Sequence, residues 1–244
     1  MKNILVFEES ETNLKTALPF FADGYPGMIY HETTNGLIVN PHNKLMPPLF
    51  LYGQTINPIE LAITGEYKLI LFQLYPFVLK SFFNIEAKNI TDSCYNLEEL
   101  ENNIGLDAIK KLTKTQRIDN KIQVLSDLIS LLFKNKRETI DVTIATAIQK
   151  IINKKGQVVI KDLCDELHLT ERTFERRFFS VVGITAKQFS KIIQFQQSLE
   201  QLTVKDYTKL SDIVYANGYA DQSHFIKVFK SYTGKTPLAF KSKK

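Results

Sequence analysis

Residues 216–237 read ANGYADQSHFIKVFKSYTGKTP. Phe225 and Phe229 lie one helical turn apart, which predicts an amphipathic helix with an aromatic core face. Its opposite face is polar and cationic, carries Gln222 and Lys227, and follows directly after a glycine-containing turn. Most amphipathic helices expose such a face to water alone, so the rest of the chain must show whether this one contacts a partner.

The spacing of this segment occurs twice in the chain. Phe174, Phe178, Gly183 and Phe189 follow one another at steps of four, five and six residues, and Phe225, Phe229, Gly234 and Phe240 follow at the same steps. Each copy is preceded by a short predicted helix, at 160–167 or 210–216, and by a tight connection that ends in an N-cap residue, Thr170 or Asp221. Two short helices joined by a tight turn form a helix-turn-helix, so the sequence predicts two such units.

A single helix is predicted between the two units, over residues 185–202, with Phe189, Ile192, Ile193 and Leu199 facing inward. Its length of roughly 26 Å, with the flanking helices, suits two recognition helices held about one duplex turn, ~34 Å, apart. One chain would then read two successive major grooves with helices near 171–180 and 221–232.

Residues 158–240 resemble the DNA-binding domain of the AraC/XylS family of bacterial transcription regulators, which has seven helices and two helix-turn-helix units. The matching segments are IKDLCDELHLTERTFERRFFSVVGITAKQF and KLSDIVYANGYADQSHFIKVFKSYTGKTPLAF, and the second follows the family signature G-F/Y-x-D-x-S-H-F-x-x-x-F-K-x-x-x-G-x-T-P. The resemblance implies a sequence-specific DNA-binding transcription regulator, with RNA polymerase and a small-molecule effector as candidate partners. Gln194 and Val214 depart from the family pattern, which has Arg and Ala there, and Gln194 puts the packing between the two units in doubt.

The resemblance also implies which residues contact DNA. They lie on the outer faces of the two recognition helices: Arg172, Glu175 and Arg176 on the first, and Gln222, Ser223, Ile226, Lys227 and Lys230 on the second. Arginine can bridge guanine, glutamate can accept from cytosine, glutamine can pair with adenine, and isoleucine can meet a thymine methyl. Lysines such as Lys230 are candidates for phosphate contacts, which set register without reading sequence. Arg176 is the foremost candidate, for a base or a phosphate, and its alternative role is an ion pair with Glu171 or simple solvation. The alternative for Ile226 is burial against a neighbouring helix.

Residues 1–83 carry short apolar runs separated by turn signals such as Asp-Gly, Asn-Gly and Pro-Pro, which predict a compact antiparallel β unit. The runs are ILVF at 4–7, MIY at 28–30, GLIV at 36–39, LFLYG at 49–53, IELAIT at 59–64 and YKLILFQLY at 67–75. Their arrangement and the turn at 23–27 resemble the cupin-like sensory half of such regulators. An apolar pocket in this unit would be lined by Tyr25, Tyr30, Phe50, Tyr52 and Phe72.

After Pro76 the apolar period changes to that of helices, predicted at 77–83, 97–104 and 140–153. Over residues 118–132 the apolar positions step by four, three, four and three, which is a heptad seam. This helix either lies on the β unit or also pairs with its copy in a homodimer. With KNKRET at 134–139 as the linker, we expect an α+β chain with a cupin-like sensory or oligomerisation domain at 1–135 and an all-α DNA-binding domain at 141–244.

Charge is distributed unevenly along the 244 residues, whose net charge is +5. From Lys154 onward, sixteen Lys and Arg against nine Asp and Glu give +7, whereas the first 153 residues give −2. A basic C-terminal third suits a polyanionic partner. No apolar run of transmembrane length and no signal peptide are found, so we expect a soluble cytoplasmic protein.

Two other functional classes fit the sequence less well. His31, Glu32 and His42 are the nearest set of metal ligands in the β unit, but they lack an HxH spacing, so we expect no metal, no cofactor and no enzyme. Cys94 and Cys164 lie in no CxxC motif and are expected to be reduced core thiols. The remaining alternative is a protein-interaction or ligand-binding module whose helix-turn-helix pair is a non-binding scaffold.

Overall fold

The computed structural model describes residues 1–134, 139–204 and 207–241. Its N-terminal part is the antiparallel β unit that the sequence predicts. The strands are β1 (Asn3–Glu9), β2 (Lys15–Phe20), β3 (Gly27–Thr33), β4 (Leu37–Asn40), β5 (Lys44–Leu45), β6 (Leu49–Tyr52), β7 (Ile59–Thr64), β8 (Tyr67–Gln73) and β9 (Cys94–Asn96). They form two sheets, of order β1-β8-β3-β6-β9 and β2-β7-β4-β5, in which all neighbouring strands run antiparallel.

Burial explains which strands the sequence pattern predicts and which it does not. The two sheets face each other over a shared core that includes Ile29, Leu61 and Leu69. β8 is buried along most of its length because helices cover its other face, so it reads as a continuous apolar run. β2 was missed because its polar residues and Pro19 weaken the strand pattern, and this Pro is accommodated on an edge strand.

Three helices cover the outer face of the larger sheet: α1 (Val78–Phe83), α2 (Ile104–Lys114) and α3 (Ile118–Lys134). The helix predicted at 97–104 is wrong. Those residues form two short 3₁₀ turns, Leu97–Glu99 and Glu101–Asn103, and the α-helix begins only at Ile104. Asn102 and Asn103 both have positive φ, 60° and 56°, a conformation that asparagine tolerates and that interrupts a helix.

The heptad seam of α3 packs within the chain. Leu125 and Leu132 of the seam are buried against the β unit and its other helices, so this helix lies on the β unit. The other seam residues, Ile118, Ile122 and Ile129, are only partly buried. The same helix buries Lys121, whose ammonium donates to Glu32 Oε1 at 2.5 Å and to the Leu112 carbonyl at 2.9 Å. Pairing of this helix with its copy in a homodimer stays a prediction.

The C-terminal domain is helical, as predicted. Its helices are α4 (Val142–Asn153), α5 (Ile160–Glu166), α6 (Glu171–Val182), α7 (Ala186–Val204), α8 (Leu210–Ala216), α9 (Gln222–Thr233) and α10 (Pro237–Lys241). Residues 135–138 of the predicted linker lie outside the described residues. No helix in the described ranges is both long and apolar enough to cross a membrane.

The two parts of the chain share a packed junction. Ala22, in the loop after β2, belongs to the core of the C-terminal domain, and its carbonyl accepts from Gln196 Nε2 at 2.5 Å. On the other side of the junction, Thr91 Oγ1 donates to the Gly183 carbonyl at 3.2 Å. The β unit therefore contacts both α6, through its C-cap Gly183, and α7, through Gln196.

Asp23 is a desolvated carboxyl at this junction. Its oxygens accept from the Tyr25 backbone N–H at 2.8 Å and from Gln73 Nε2 at 2.6 Å. Burial raises the pKa of Asp23 to about 6 and outweighs these hydrogen bonds, which act in the opposite direction. Between the ordinary pKa of 3.8 and 6, the folded chain therefore binds this proton more tightly than the unfolded chain does.

An Asp23→Asn variant should show a flatter dependence of stability on pH. The stabilisation from the raised pKa is fully present below pH 3.8 and is lost as the pH rises through about 6, an effect of up to about 3 kcal/mol. We expect the free energy of unfolding of the natural chain to fall more steeply than that of the variant between about pH 4 and 6. Denaturant unfolding at several pH values measures both slopes, and equal slopes would show that Asp23 is not the titrating group. His31, whose pKa burial lowers, is present in both proteins and cancels in the comparison.

Candidate nucleic-acid interface

The two helix-turn-helix units are α5–α6 and α8–α9, and their local geometry is equivalent. In each turn one residue adopts a left-handed conformation, His168 with φ 53° and Gly218 with φ 70°. The second helix of each unit then begins at a side-chain cap. Thr170 Oγ1 accepts from Thr173 N at 3.3 Å, and Asp221 Oδ1 accepts from His224 N at 2.7 Å. The predicted repeat and both predicted N-caps are confirmed.

The aromatic stripe of each unit is core. Phe174, Phe178, Phe225 and Phe229 have no exposed surface, and all four belong to one cluster that also contains Phe189 and Phe195 of α7. Phe195 was missed in the sequence, although it fits the inward face of the predicted linker helix. Because α6 and α9 both pack through these rings on the cluster shared with α7, their opposite faces point away from the protein.

On α6, the exposed face carries Arg172 and Arg176, which are one helical turn apart. Glu175 was predicted to share this exposed face, but its side chain is less exposed than those of Arg172 and Arg176. It is half-buried, and its Oε2 accepts from the backbone N–H of Ala186 at 3.4 Å, the first residue of α7. A carboxylate at a helix N-terminus is stabilised there by the helix dipole, so Glu175 helps to join α6 to α7.

Arg177 was overlooked in the sequence because its neighbour Arg176 has the same charge. Its guanidinium forms a two-pronged ion pair with Asp141, at 2.9 Å and 2.6 Å, and Asp141 also caps α4 by accepting from Ile144 N. Desolvation raises the pKa of Asp141, but the hydrogen bonds from Arg177 and from backbone N–H groups outweigh it, so this pKa lies below its usual value. Arg177 thus fastens α6 to α4, and Arg172 and Arg176 remain at the surface.

On α9, Gln222, Ser223, Lys227 and Lys230 are exposed, as predicted. Ile226 is half-buried, so only part of its side chain faces outward. His224 packs its ring against Tyr219, with ring centroids 5.7 Å apart, at the start of the helix. The outer face of α9 is therefore polar and cationic, and it begins at a capped helix N-terminus.

Gln194 has a structural role. Its Nε2 donates to the Asn217 carbonyl at 2.6 Å, which ties the middle of α7 to the turn of the second helix-turn-helix. Asn217 is itself buried, and its side chain bonds Gln201 at 2.6 Å and the Ile213 carbonyl at 2.8 Å. Val214, the other departure from the family pattern, is buried in the same core. The hydrogen bond of Gln194 therefore joins α7 to the second unit.

The β unit contains an apolar cavity of about 250 Å³ between its two sheets. Of the predicted lining residues, Phe50 and Tyr52 face it, whereas Tyr25, Tyr30 and Phe72 do not. The polar groups that line it include Lys44, His42 and Cys94, and the ammonium of Lys44 donates to Cys94 Sγ at 3.1 Å.

The suggested metal ligands are not assembled. His31 is buried, with Nε2 bonded to the Pro47 carbonyl at 3.0 Å, while His42 lines the apolar cavity. Among the described residues, no group of three or more His, Cys, Asp or Glu side chains could hold a metal ion. Both cysteines are free thiols: Cys164 is buried and Cys94 is half-buried.

Comparison with known proteins agrees with this geometry. Residues 163–243 match a family model described as a helix-turn-helix domain. They form a helix-turn-helix domain of the AraC type. Residues 3–96 match a domain family of unknown function. No curated protein matches the sequence significantly.

Two solved structures share the fold of this chain over nearly its whole length. ToxT from Vibrio cholerae O395 is 15% identical, with a TM-score of 0.51, and the match covers 98% of this chain and 96% of ToxT. ToxT bound to (E)-4-(8-methylnaphthalen-1-yl)but-3-enoic acid is 16% identical, with a TM-score of 0.50 and coverage of 98% of each chain. The helix-turn-helix family model points to a DNA-binding transcription regulator, and the two structures show the fold.

Proposed function

We propose that this regulator binds a specific DNA site by placing α6 and α9 in two successive major grooves. The observation that carries the proposal is the equivalence of the two units: each has a capped recognition helix, a wholly buried aromatic face and an exposed polar, cationic face. Both pack on the cluster that contains α7, which fixes their separation. A non-binding scaffold would not need two such faces, so we favour DNA binding over a pure interaction module.

The exposed residues divide into two roles. Arg172, Arg176 and Gln222 are placed to read base edges, because guanidinium and amide groups make paired hydrogen bonds to guanine and adenine. Lys227 and Lys230 are point charges suited to phosphate. Ser223 lies in the first turn of α9, where backbone N–H groups also favour a phosphate. Glu175 and the buried part of Ile226 are left out of this assignment, since their contacts lie within the protein.

Footprinting on DNA from upstream of the gene tests the two-groove arrangement. We expect protection of two major-groove segments on one face of the duplex, about 10 base pairs apart, together with a steep fall of affinity with salt. A footprint confined to one groove would contradict the use of both helices. Protection that does not depend on DNA sequence would reduce the function to non-specific binding.

A small-molecule effector is a second part of the proposal. The cavity in the β unit is apolar, and Lys44 supplies one cation at its wall, which suits an apolar carboxylic acid. ToxT, which shares the fold, has been solved with an apolar aromatic acid bound. The same acid should raise the melting temperature of this chain, and a Lys44→Met variant should respond less. An equal response in both proteins would place the acid elsewhere.

The remaining assignments follow from DNA binding. A transcription regulator acts in the cytoplasm of a bacterium and meets RNA polymerase at the promoter, and we propose both for this chain. We assign it no enzymatic activity, because the proposed regulation requires DNA binding and no chemical step.

A further inference from the structure

β1 closes one end of the larger sheet and pairs only with β8. Half of its backbone N–H and C=O groups therefore point away from the sheet, over a strand of seven residues. Natural proteins usually shorten, bend or charge such an edge, because an open edge recruits another strand. The middle of β1, from Leu5 to Phe7, has none of these protections.

The side chains of β1 are apolar and exposed on both faces. Leu5, Val6 and Phe7 are 39%, 38% and 37% exposed. Val6 lies opposite Ile70, on the side covered by helices, and Leu5 and Phe7 lie opposite Leu71 and Leu69, on the side of the facing sheet. An added strand would therefore extend both apolar layers at once.

Charge along β1 indicates which strand fits. Lys2 precedes the apolar centre, and Glu8 follows it. Among the described residues neither has an ion pair, and the ammonium of Lys2 lies over the Tyr25 ring at 5.2 Å. A partner strand that runs antiparallel with the same sequence would set its acidic end beside Lys2 and its basic end beside Glu8.

Symmetry restricts how two copies of β1 can pair. A two-fold axis between antiparallel strands must be perpendicular to the sheet, so residues that face each other point to the same side. With the axis at Leu5, Lys2 faces Glu8, Ile4 faces Val6, and Leu5 faces its own copy. With the axis at Phe7, Val6 would face Glu8 instead, which loses both the charge pair and the apolar pair.

We propose that two copies of this chain associate through antiparallel pairing of their β1 strands, centred on Leu5. The pairing joins the two larger sheets into one continuous sheet. Each subunit carries its own pair of recognition helices, so the dimer presents four of them. The proposal rests on the edge strand alone and does not depend on the assignment of the DNA contacts.

Sedimentation of the full chain over a concentration series tests the association. We expect the natural chain to approach twice the monomer mass as concentration rises. A Leu5→Lys variant should stay monomeric, because it sets two ammonium groups against each other at the axis. Leu131→Lys is the matched control, since Leu131 is a similarly exposed leucine, 43%, on α3. A natural chain that remains monomeric, or a dimer abolished by Leu131→Lys and not by Leu5→Lys, would overturn the proposal.

Cross-linking tests the register and does not depend on a disruptive variant. In a Cys94→Ser background, Leu5→Cys should form an intermolecular disulfide under mild oxidation, because facing residues have Cα atoms about 4.5–5.5 Å apart. Phe7→Cys is on the same face, but its copy would lie about 13 Å away along the strand, so it should not cross-link. Equal cross-linking of both variants would show collision without a fixed register and would exclude the proposed pairing. Leu5→Lys should still bind a single DNA site, because its recognition helices are unchanged. Retained DNA binding without a dimer would therefore distinguish a test of this proposal from a test of the proposed function.

Discussion

Replacing Arg176 and Lys227 together by alanine should lower the affinity for the specific DNA site by about 100-fold or more. In the proposed arrangement Arg176 reads a base, and losing such a contact costs about 1–3 kcal/mol. Lys227 would contact a phosphate, so its loss should also reduce the log-log salt slope by about 0.9. The two residues lie on different recognition helices, and their effects should therefore add.

Arg176 and Lys227 are both exposed, so they can be replaced without disturbing the core. Neither side chain is needed for the core, so the double variant should unfold at the same temperature as the natural chain. A Lys15→Ala, Lys114→Ala variant removes the same charge from exposed positions on β2 and α2, far along the chain from α6 and α9. It should retain the specific site and most of the salt slope.

Binding isotherms on specific and bulk DNA at several salt concentrations separate the outcomes. Loss of the specific site in the Arg176 and Lys227 variant alone would place recognition on α6 and α9. Equal affinities of the two double variants would mean that these faces are only solvated, and attention would move to the β unit.

Gly183→Ala should destabilise the chain far more than Gly234→Ala. The two glycines end equivalent helices, α6 and α9, in the same left-handed conformation, with φ of 87° and 72°. Both substitutions therefore carry the backbone cost of about 1–2 kcal/mol for a side chain in that region. A Cβ on Gly183 would also lie 2.8 Å from the backbone of Ala87 and from Thr91 Oγ1, whereas a Cβ on Gly234 would meet nothing within 4 Å.

The difference between the two variants measures the junction between the two parts of the chain. The clash at Gly183 should add about 1–3 kcal/mol, because the Ala87 backbone cannot move as a flexible side chain would. Thermal and denaturant unfolding of both variants measure this difference directly. If the two variants lose equal stability, the β unit and the helical domain do not pack through α6 in solution.

In the proposed arrangement, the same junction connects the β unit to a recognition helix. α6 holds Arg172 and Arg176, and its C-terminal end rests on the 3₁₀ turn at Ala87–Ile90 of the β unit. A shift of that turn would move a recognition helix as a rigid body. We therefore expect Gly183→Ala to reduce specific DNA affinity as well, while Gly234→Ala leaves the β unit in place.

The sequence by itself determined the elements whose causes are local. Thr170 and Asp221 cap their helices through residues three positions away, and the aromatic stripes follow the helical period, so the two helix-turn-helix units were readable from spacing alone. The exposed residues of the recognition helices followed from the same period. Long apolar strands such as β8 were equally clear, because burial on both faces leaves a continuous run.

Only the tertiary structure decided which polar side chains form hydrogen bonds within the protein and which stay exposed. Glu175 and Arg176 are adjacent in the sequence, yet one bonds α7 and the other stays exposed. Arg177 pairs with Asp141, and Gln194 reaches Asn217. These partners lie 11 to 36 residues apart along the chain. Hydrogen bonds and burial depend on such distant groups, which the helical period does not encode. For the same reason, only the tertiary structure shows that part of the heptad seam is buried against the β unit and that β1 has an open edge.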